Sequence, residues 1–385
     1  MRRVARSERF AARIVGESTV ALIGIALLAC AFGANQRWLD RHFLPAYNVS
    51  RHAYVLVESV ARLVTAAIGA ALALVVRPRL GRLVAHVPAA TLLADAARVA
   101  LAVALAPGAS EVVLRHMFSR ATEEQPADEE PRRRPDQRLG WIFVPARTGR
   151  DTVGGHVIEY AFDSAGYRVR SVTMPVDPEL PTVLFTGESM MVGHGLTWGE
   201  SVPGQVETLL GTQSANLAVH GFANDQAYLR LSAELPRFRR PVAVVSLFTP
   251  VLFNRNLDDD RPHLGPGLVW LPAQHRWRLT ALARFLVPYR SDEAIERGIV
   301  VTREVLRATV ELASARGAVP LIVVPQFGPE DAARTMLRHR ILDESGLPYV
   351  WVGLDPTWRL AWNWHPDARA AHAIAVALVA RLPGR

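Results

Sequence analysis

The chain has 385 residues, half of them hydrophobic, a single cysteine and a formal charge of +8 at pH 7. That composition excludes a disulfide framework and a thiolate metal site, because Cys30 stands alone inside an apolar run. Lysine is absent, so the basic charge is arginine, a bias typical of GC-rich coding; its clustering beside apolar stretches points to membrane orientation and away from a nucleic-acid partner.

Residues 18–36 form the first apolar stretch, uncharged and preceded by Arg2, Arg3, Arg6, Arg9 and Arg13. Its length suits one bilayer crossing, and "AFGANQRW" makes a poor cleavage site, so a retained anchor is expected after a basic tail (1–17). A second span is expected at about 53–76, with Glu58 and Arg62 four apart, and a third at about 83–106, with Asp95 and Arg98 three apart. Ionisable groups inside a span are costly, so each pair is expected to neutralise itself and hold the helices of a membrane region (18–116) together. The tail and the link "RPRLGR" (77–82) are the arginine-rich flanks and should be cytoplasmic. Three crossings then place the remainder outside the cytoplasm, giving a multi-pass protein of the inner or plasma membrane. "SRATEEQPADEEPRRRPDQ", within 117–139, reads as a solvated linker.

Short β-prone runs follow ("WIFVP", "GHVIEYAFD", "GYRVRSV"), a small β extension over 140–178. From 179 to 385 apolar strands alternate with helices: strands at 182–187, 214–219, 242–248, 319–325 and 349–353, helices at 201–210, 225–234, 292–316 and 366–382. Continuous apolar strands with intervening helices specify an α/β fold, a three-layer α/β/α sandwich on a mainly parallel sheet. Its site is expected at the carboxyl ends of the strands.

Ser189 falls there, in "LFTGESMMVGHG", two residues past the first core strand and just before a helix. A serine so placed presents its hydroxyl at the sheet edge and its N–H to an oxyanion; as an isolated Gly-X-Ser it would read as a turn or N-cap serine. The hydroxyl needs a base. His365 sits on the loop before the final amphipathic helix, with Pro366 at the expected first helical position, and opens onto the same edge. His194 and His220 lie near that edge, and His372 is expected on the helix surface. No glycine-rich phosphate loop occurs, and the "DDD" at 258–260 reads as a solvated turn, so neither cofactor nor metal is expected.

Three blocks in order now resemble the SGNH/GDSL-type hydrolases: "FTGESMMVGHG", "NLAVHGFANDQAYLRL" and "NWHPDARAAHAIA". The resemblance covers about 180–385 and implies a serine esterase with Ser189 as nucleophile, His365 as base, and the Ser189 and Gly221 N–H groups as oxyanion donors. The N-terminal spans are similar to a membrane-anchored bacterial branch acting on acylated envelope glycans or lipids. Two departures stand out. The family's acid before the histidine is replaced by Asn363, which brings no charge, leaving Asn363 or Asp355 to orient His365; Asp367 is expected in the first turn of the helix. The family's third-block asparagine is also missing, leaving Asn254 or Asn256 on a longer loop, or neither, to complete the oxyanion site. The leading expectation is hydrolysis of acyl, chiefly acetyl, esters on an envelope polysaccharide. The alternatives are an O-acetyltransferase using the same Ser and His, which would need a partner protein to deliver the acyl donor, and a catalytically degenerate binding module.

Overall fold

A computed structural model describes residues 2–43, 51–84, 89–117, 130–274, 276–361 and 363–382; the greater part of the expected linker lies outside them. The chain divides into a helical unit (Met1–Pro45, Val49–Phe118, Trp277–Tyr289) and an α/β unit (Ala46–Asn48, Ser119–Arg276, Arg290–Arg385).

In the helical unit, α1 (Arg2–Gly33) is followed by α2 (Gln36–His42), α3 (Arg51–Ala71), α4 (Arg77–Val84) and α5 (Ala89–Met117). Three stretches are long and apolar enough to cross a membrane: Arg13–Gly33, His52–Arg82 and Ala94–Met117. Leu22, Leu63 and Leu105 each leave about 60% or more of their surface uncovered, as side chains bathed by lipid would. The apposition of α1 and α3 depends on small residues, since a Cβ on Gly24 would lie 2.7 Å from the Gly69 carbonyl oxygen. Three expectations change here, the first being that the third apolar stretch falls at Ala94–Met117, later than the expected 83–106. The 77–82 link is helical, because a π turn (Leu72–Val76) carries α3 straight into α4, with the Arg77 N–H bonded to the Leu72 carbonyl. Glu58 and Arg62 do not pair with each other: Glu58 accepts from Gln36 Nε2 (2.6 Å) and Arg62 Nε donates to the Ala31 carbonyl (3.0 Å). Each thereby ties α3 to the preceding helical segment. Asp95 and Arg98 pair as expected, at 2.8 Å on an exposed face.

In the α/β unit the strands are β1 (Arg133–Asp136), β2 (Gly140–Phe143), β3 (Arg147–Val153), β4 (His156–Phe162), β5 (Arg168–Val169), β6 (Pro181–Thr186), β7 (Gln213–Asn216), β8 (Arg240–Leu247), β9 (His263–Leu264), β10 (Trp270–Leu271), β11 (Val319–Phe327), β12 (Tyr349–Leu354), β13 (Arg359–Leu360) and β14 (Asn363–Pro366). Eight of them form one sheet in the order β12-β11-β8-β6-β7-β5-β4-β3. The first five run parallel, and the β extension continues the same sheet antiparallel through β5. The end of the expected linker is also ordered, because β1 pairs with β2.

The helices are α6 (Ser189–Val192), α7 (Val202–Leu210), α8 (Asn224–Glu234), α9 (Pro250–Asn256), α11 (Asp292–Ala315), α12 (Ala332–Arg338) and α13 (Ala368–Val379); α10 (Arg278–Leu286) belongs to the helical unit. Alternate side chains of β6 explain the layers. Val183 and Phe185 pack in one core with Val206 of α7 and Ile374 and Leu378 of α13, while Leu184 packs in another with Leu231 of α8 and Ala313 of α11. A strand covered on both faces must be apolar at every position, and β6 is nearly so. The architecture is the expected three-layer α/β fold.

Candidate active site

β6 ends at Thr186 and the chain turns sharply through Gly187 (φ 151°) into α6, whose N-cap is Glu188 and whose first residue is Ser189. A Cβ on Gly187 would lie 2.9 Å from the Leu247 side chain, so the turn needs a glycine twice over, for conformation and for space. Both Glu188 and Ser189 are buried. As the first helical residue, Ser189 has an N–H with no intrahelical acceptor.

His365, 176 residues later on β14, brings Nε2 to 2.7 Å from Ser189 Oγ. On its other side Oγ touches Glu188 Oε2, which also accepts from Arg255 Nη1 of α9 (3.1 Å), while Glu188 Oε1 accepts from the Met190 N–H (3.2 Å). Burial pushes the Glu188 carboxyl up, but Arg255, His365 and the Ser189 and Met190 hydrogen bonds outweigh it and hold it below the usual range. The serine has one proton to donate, to Glu188 or to His365. Donation to His365 leaves the Glu188 carboxylate paired with Arg255.

His194 and His220 pack behind His365, their rings 4.9 Å apart, with the His194 ring 4.7 Å from that of His365. Burial lowers all three: His365 despite the opposing pull of Glu188, His194 to about 4, and His220 well below the usual imidazole value. The cluster is therefore neutral at pH 7, the state in which an imidazole can accept a proton. No group of residues suited to hold a metal occurs among the described residues.

The β extension builds the other wall. Trp141 of β2 donates to the His220 carbonyl (2.8 Å), and its ring meets the position a Cβ on Gly221 (φ 78°) would occupy. Tyr160 of β4 accepts from the Gly195 N–H (2.8 Å). Arg168 of β5, fully buried, donates to the carbonyls of Val192 (2.5 Å), Gly193 (2.7 Å) and Leu196 (2.6 Å) and lies over the Tyr160 ring. It clamps the loop that carries His194.

The remaining candidates fall as follows. Asn256 has its amide engaged by the Asp225 N–H (3.4 Å) and Thr302 Oγ1 (2.7 Å), so it fixes α9 against α8 and α11. Asn254 is half-buried on α9, next to Arg255. Asp355 is exposed, its Oδ1 held by the Thr357 N–H and hydroxyl (2.8 and 2.7 Å), bonds that keep its carboxyl low. The side chain of Asn363 lies outside the described residues. Asp367 is the N-cap of α13, accepting from the Arg369 and Ala370 N–H groups, which places Pro366 one residue before the cap and not inside the helix. His372 is exposed and bonds to Gln205 (2.6 Å). It lines a shallow surface groove of about 500 Å³ with Trp358, Arg369 and Glu200, none of which belongs to the Ser189 cluster.

Sequence reasoning passed over Arg255 and Arg168. The one signal for Arg168 was an arginine on a short strand between two β-prone apolar residues, where a solvated side chain would be unusual. Arg255 carried none, since nothing local says which residue of α9 turns toward β6.

The chain matches no known family description and no curated protein. Solved structures similar to parts of it include TesA (16% identity over 51% of this chain and 95% of that one, TM-score 0.32). An acetyl xylan esterase (Est2A) from the rumen bacterium Butyrivibrio proteoclasticus is 10% identical over 54% of this chain and 64% of its own, with TM-score 0.34. A family two carbohydrate esterase from Cellvibrio japonicus is 14% identical over 54% and 62%, with TM-score 0.33.

Proposed function

We propose that the protein is a membrane-anchored serine esterase of the SGNH type, acting on acyl esters of an envelope glycan or lipid. The observation that carries this reading is the 2.7 Å approach of Ser189 Oγ to His365 Nε2 at the carboxyl edge of a parallel sheet. Ser189 attacks the ester carbonyl while His365 Nε2 takes its proton. The tetrahedral oxyanion is received by the Ser189 and Gly221 N–H groups. Collapse expels the alcohol, protonated by His365, and water then releases the acid from the acyl-serine by the same steps in reverse order. Glu188 supplies a negative charge beside the imidazolium that Asn363 lacks, and Arg255 keeps the carboxylate ionised. The three apolar helices support membrane association, and the arginine-rich flanks support an extracytoplasmic α/β unit.

A fluorophosphonate probe tests the reading on the full chain in detergent. Labelling of the wild type that Ser189→Ala abolishes and His365→Ala reduces by about a thousandfold is expected. An unlabelled wild type with intact fold would refute the esterase and favour a binding module.

A further inference from the structure

Residues 277–289 interrupt the α/β unit in sequence, yet they pack with the membrane-type helices. The segment reads "WRLTALARFLVPY", with two arginines and no acidic residue. Trp277, Thr280, Ala283, Leu286 and Val287, three or four apart along α10 and its two caps, are all exposed, with Arg284 half-buried at the edge of the same arc. The opposite side, with Arg278, Ala281 and Leu282, is half-buried. Two anchors fix it. At the start of α10 the Leu279 N–H donates to Glu111 Oε2 (3.0 Å), and Glu111 is held in turn by Arg115 (2.9 Å) in the last turns of α5. Just past its end, Tyr289 stacks on Trp38 and His42 of α2, with ring centroids 6.0 and 5.4 Å away. These anchors lie at the exits of the first and third apolar stretches. Whatever the orientation, the first and third crossings leave a bilayer on the same side.

Resting on the membrane-spanning reading above, we infer that α10 is an interfacial helix whose Trp277, Leu286 and Val287 insert into the headgroup–acyl boundary of the phospholipid bilayer beside those exits. The occupant follows from continuity: the exposed apolar surface of α5 (Val112, Val113, Met117) adjoins Glu111, which holds α10, and tryptophan and tyrosine mark the segment as they mark membrane interfaces.

The test uses the full chain in lipid nanodiscs on a Cys30→Ser background, with a fluorophore on a single cysteine at Ile23→Cys, Leu286→Cys or Val172→Cys. Lipids carrying a nitroxide near the acyl carbonyl or near the chain middle serve as quenchers. Leu286→Cys should lose most of its emission to the carbonyl-level quencher, Ile23→Cys to the mid-chain quencher, and Val172→Cys little to either. Quenching at Ile23 without quenching at Leu286 overturns the interfacial helix, whether water, another protein or a second copy covers α10. Absence of quenching at Ile23 overturns the membrane reading itself.

Discussion

Glu188 touches Ser189 directly, and its charge opposes the lowering of His365 by burial. The sign of its effect is therefore testable. Removing the negative charge by Glu188→Gln lowers the affinity of His365 for a proton. The acid limb of the rate–pH profile should move to lower pH and the plateau should fall by about 100-fold, since a charge at this range is worth a few kcal/mol even when partly screened. A carboxylate that only shaped the turn would lower the rate without moving the limb. Measuring fluorophosphonate labelling rates against pH separates the two, and Glu188→Asp should recover part of the shift. The resting wild-type profile should be flat near pH 7, because the base is already neutral there.

Among the elements, β5 is two residues long and yet reaches the reactive loop. Arg168 satisfies three carbonyls at once, with burial lowering the guanidinium to about 10. Arg168→Leu would strand those acceptors in a dry site, at a cost of about 3–5 kcal/mol. Urea unfolding should show that loss, and labelling should slow because His194 loses its support. Arg168→Lys should restore little, lacking the planar fork that spans three oxygens. The core strands were legible in the sequence because β6, β8 and β11 are apolar at nearly every position, a pattern that solvent-facing segments do not show. Ser189 and His365 were legible because glycine and proline punctuate their turns. The clamps on the site were not, because Arg168 and Arg255 act through contacts more than twenty residues away in sequence, where no periodicity reports them. Helix α10 escaped for another reason: its amphipathic face is short, and its partners lie before residue 118.

For the molecule as a whole, stability should depend on pH through buried groups of opposite kind. His194 is lowered from 6.5 to about 4 by burial, with His220 and His365 lowered too, so the unfolded chain takes up protons first and the native state loses ground as pH falls from 6.5 toward 4. Asp225 acts the other way. Burial raises it from 3.8 to about 6, so its contribution is full at low pH and declines as pH rises through that window. Three histidines outweigh one aspartate. The urea midpoint of the α/β unit, followed by tryptophan fluorescence, should fall by the equivalent of about 3 kcal/mol between pH 7 and 4.5; a midpoint that rises would contradict the neutral cluster.

The wide separation of Ser189 and His365 along the chain has a temporal consequence. Ser189 leaves the ribosome 176 residues ahead of His365, roughly 10 to 35 s at ordinary elongation rates. Throughout that interval a nascent chain carries Ser189 without its imidazole partner, so the pair can act only once the closing strand arrives.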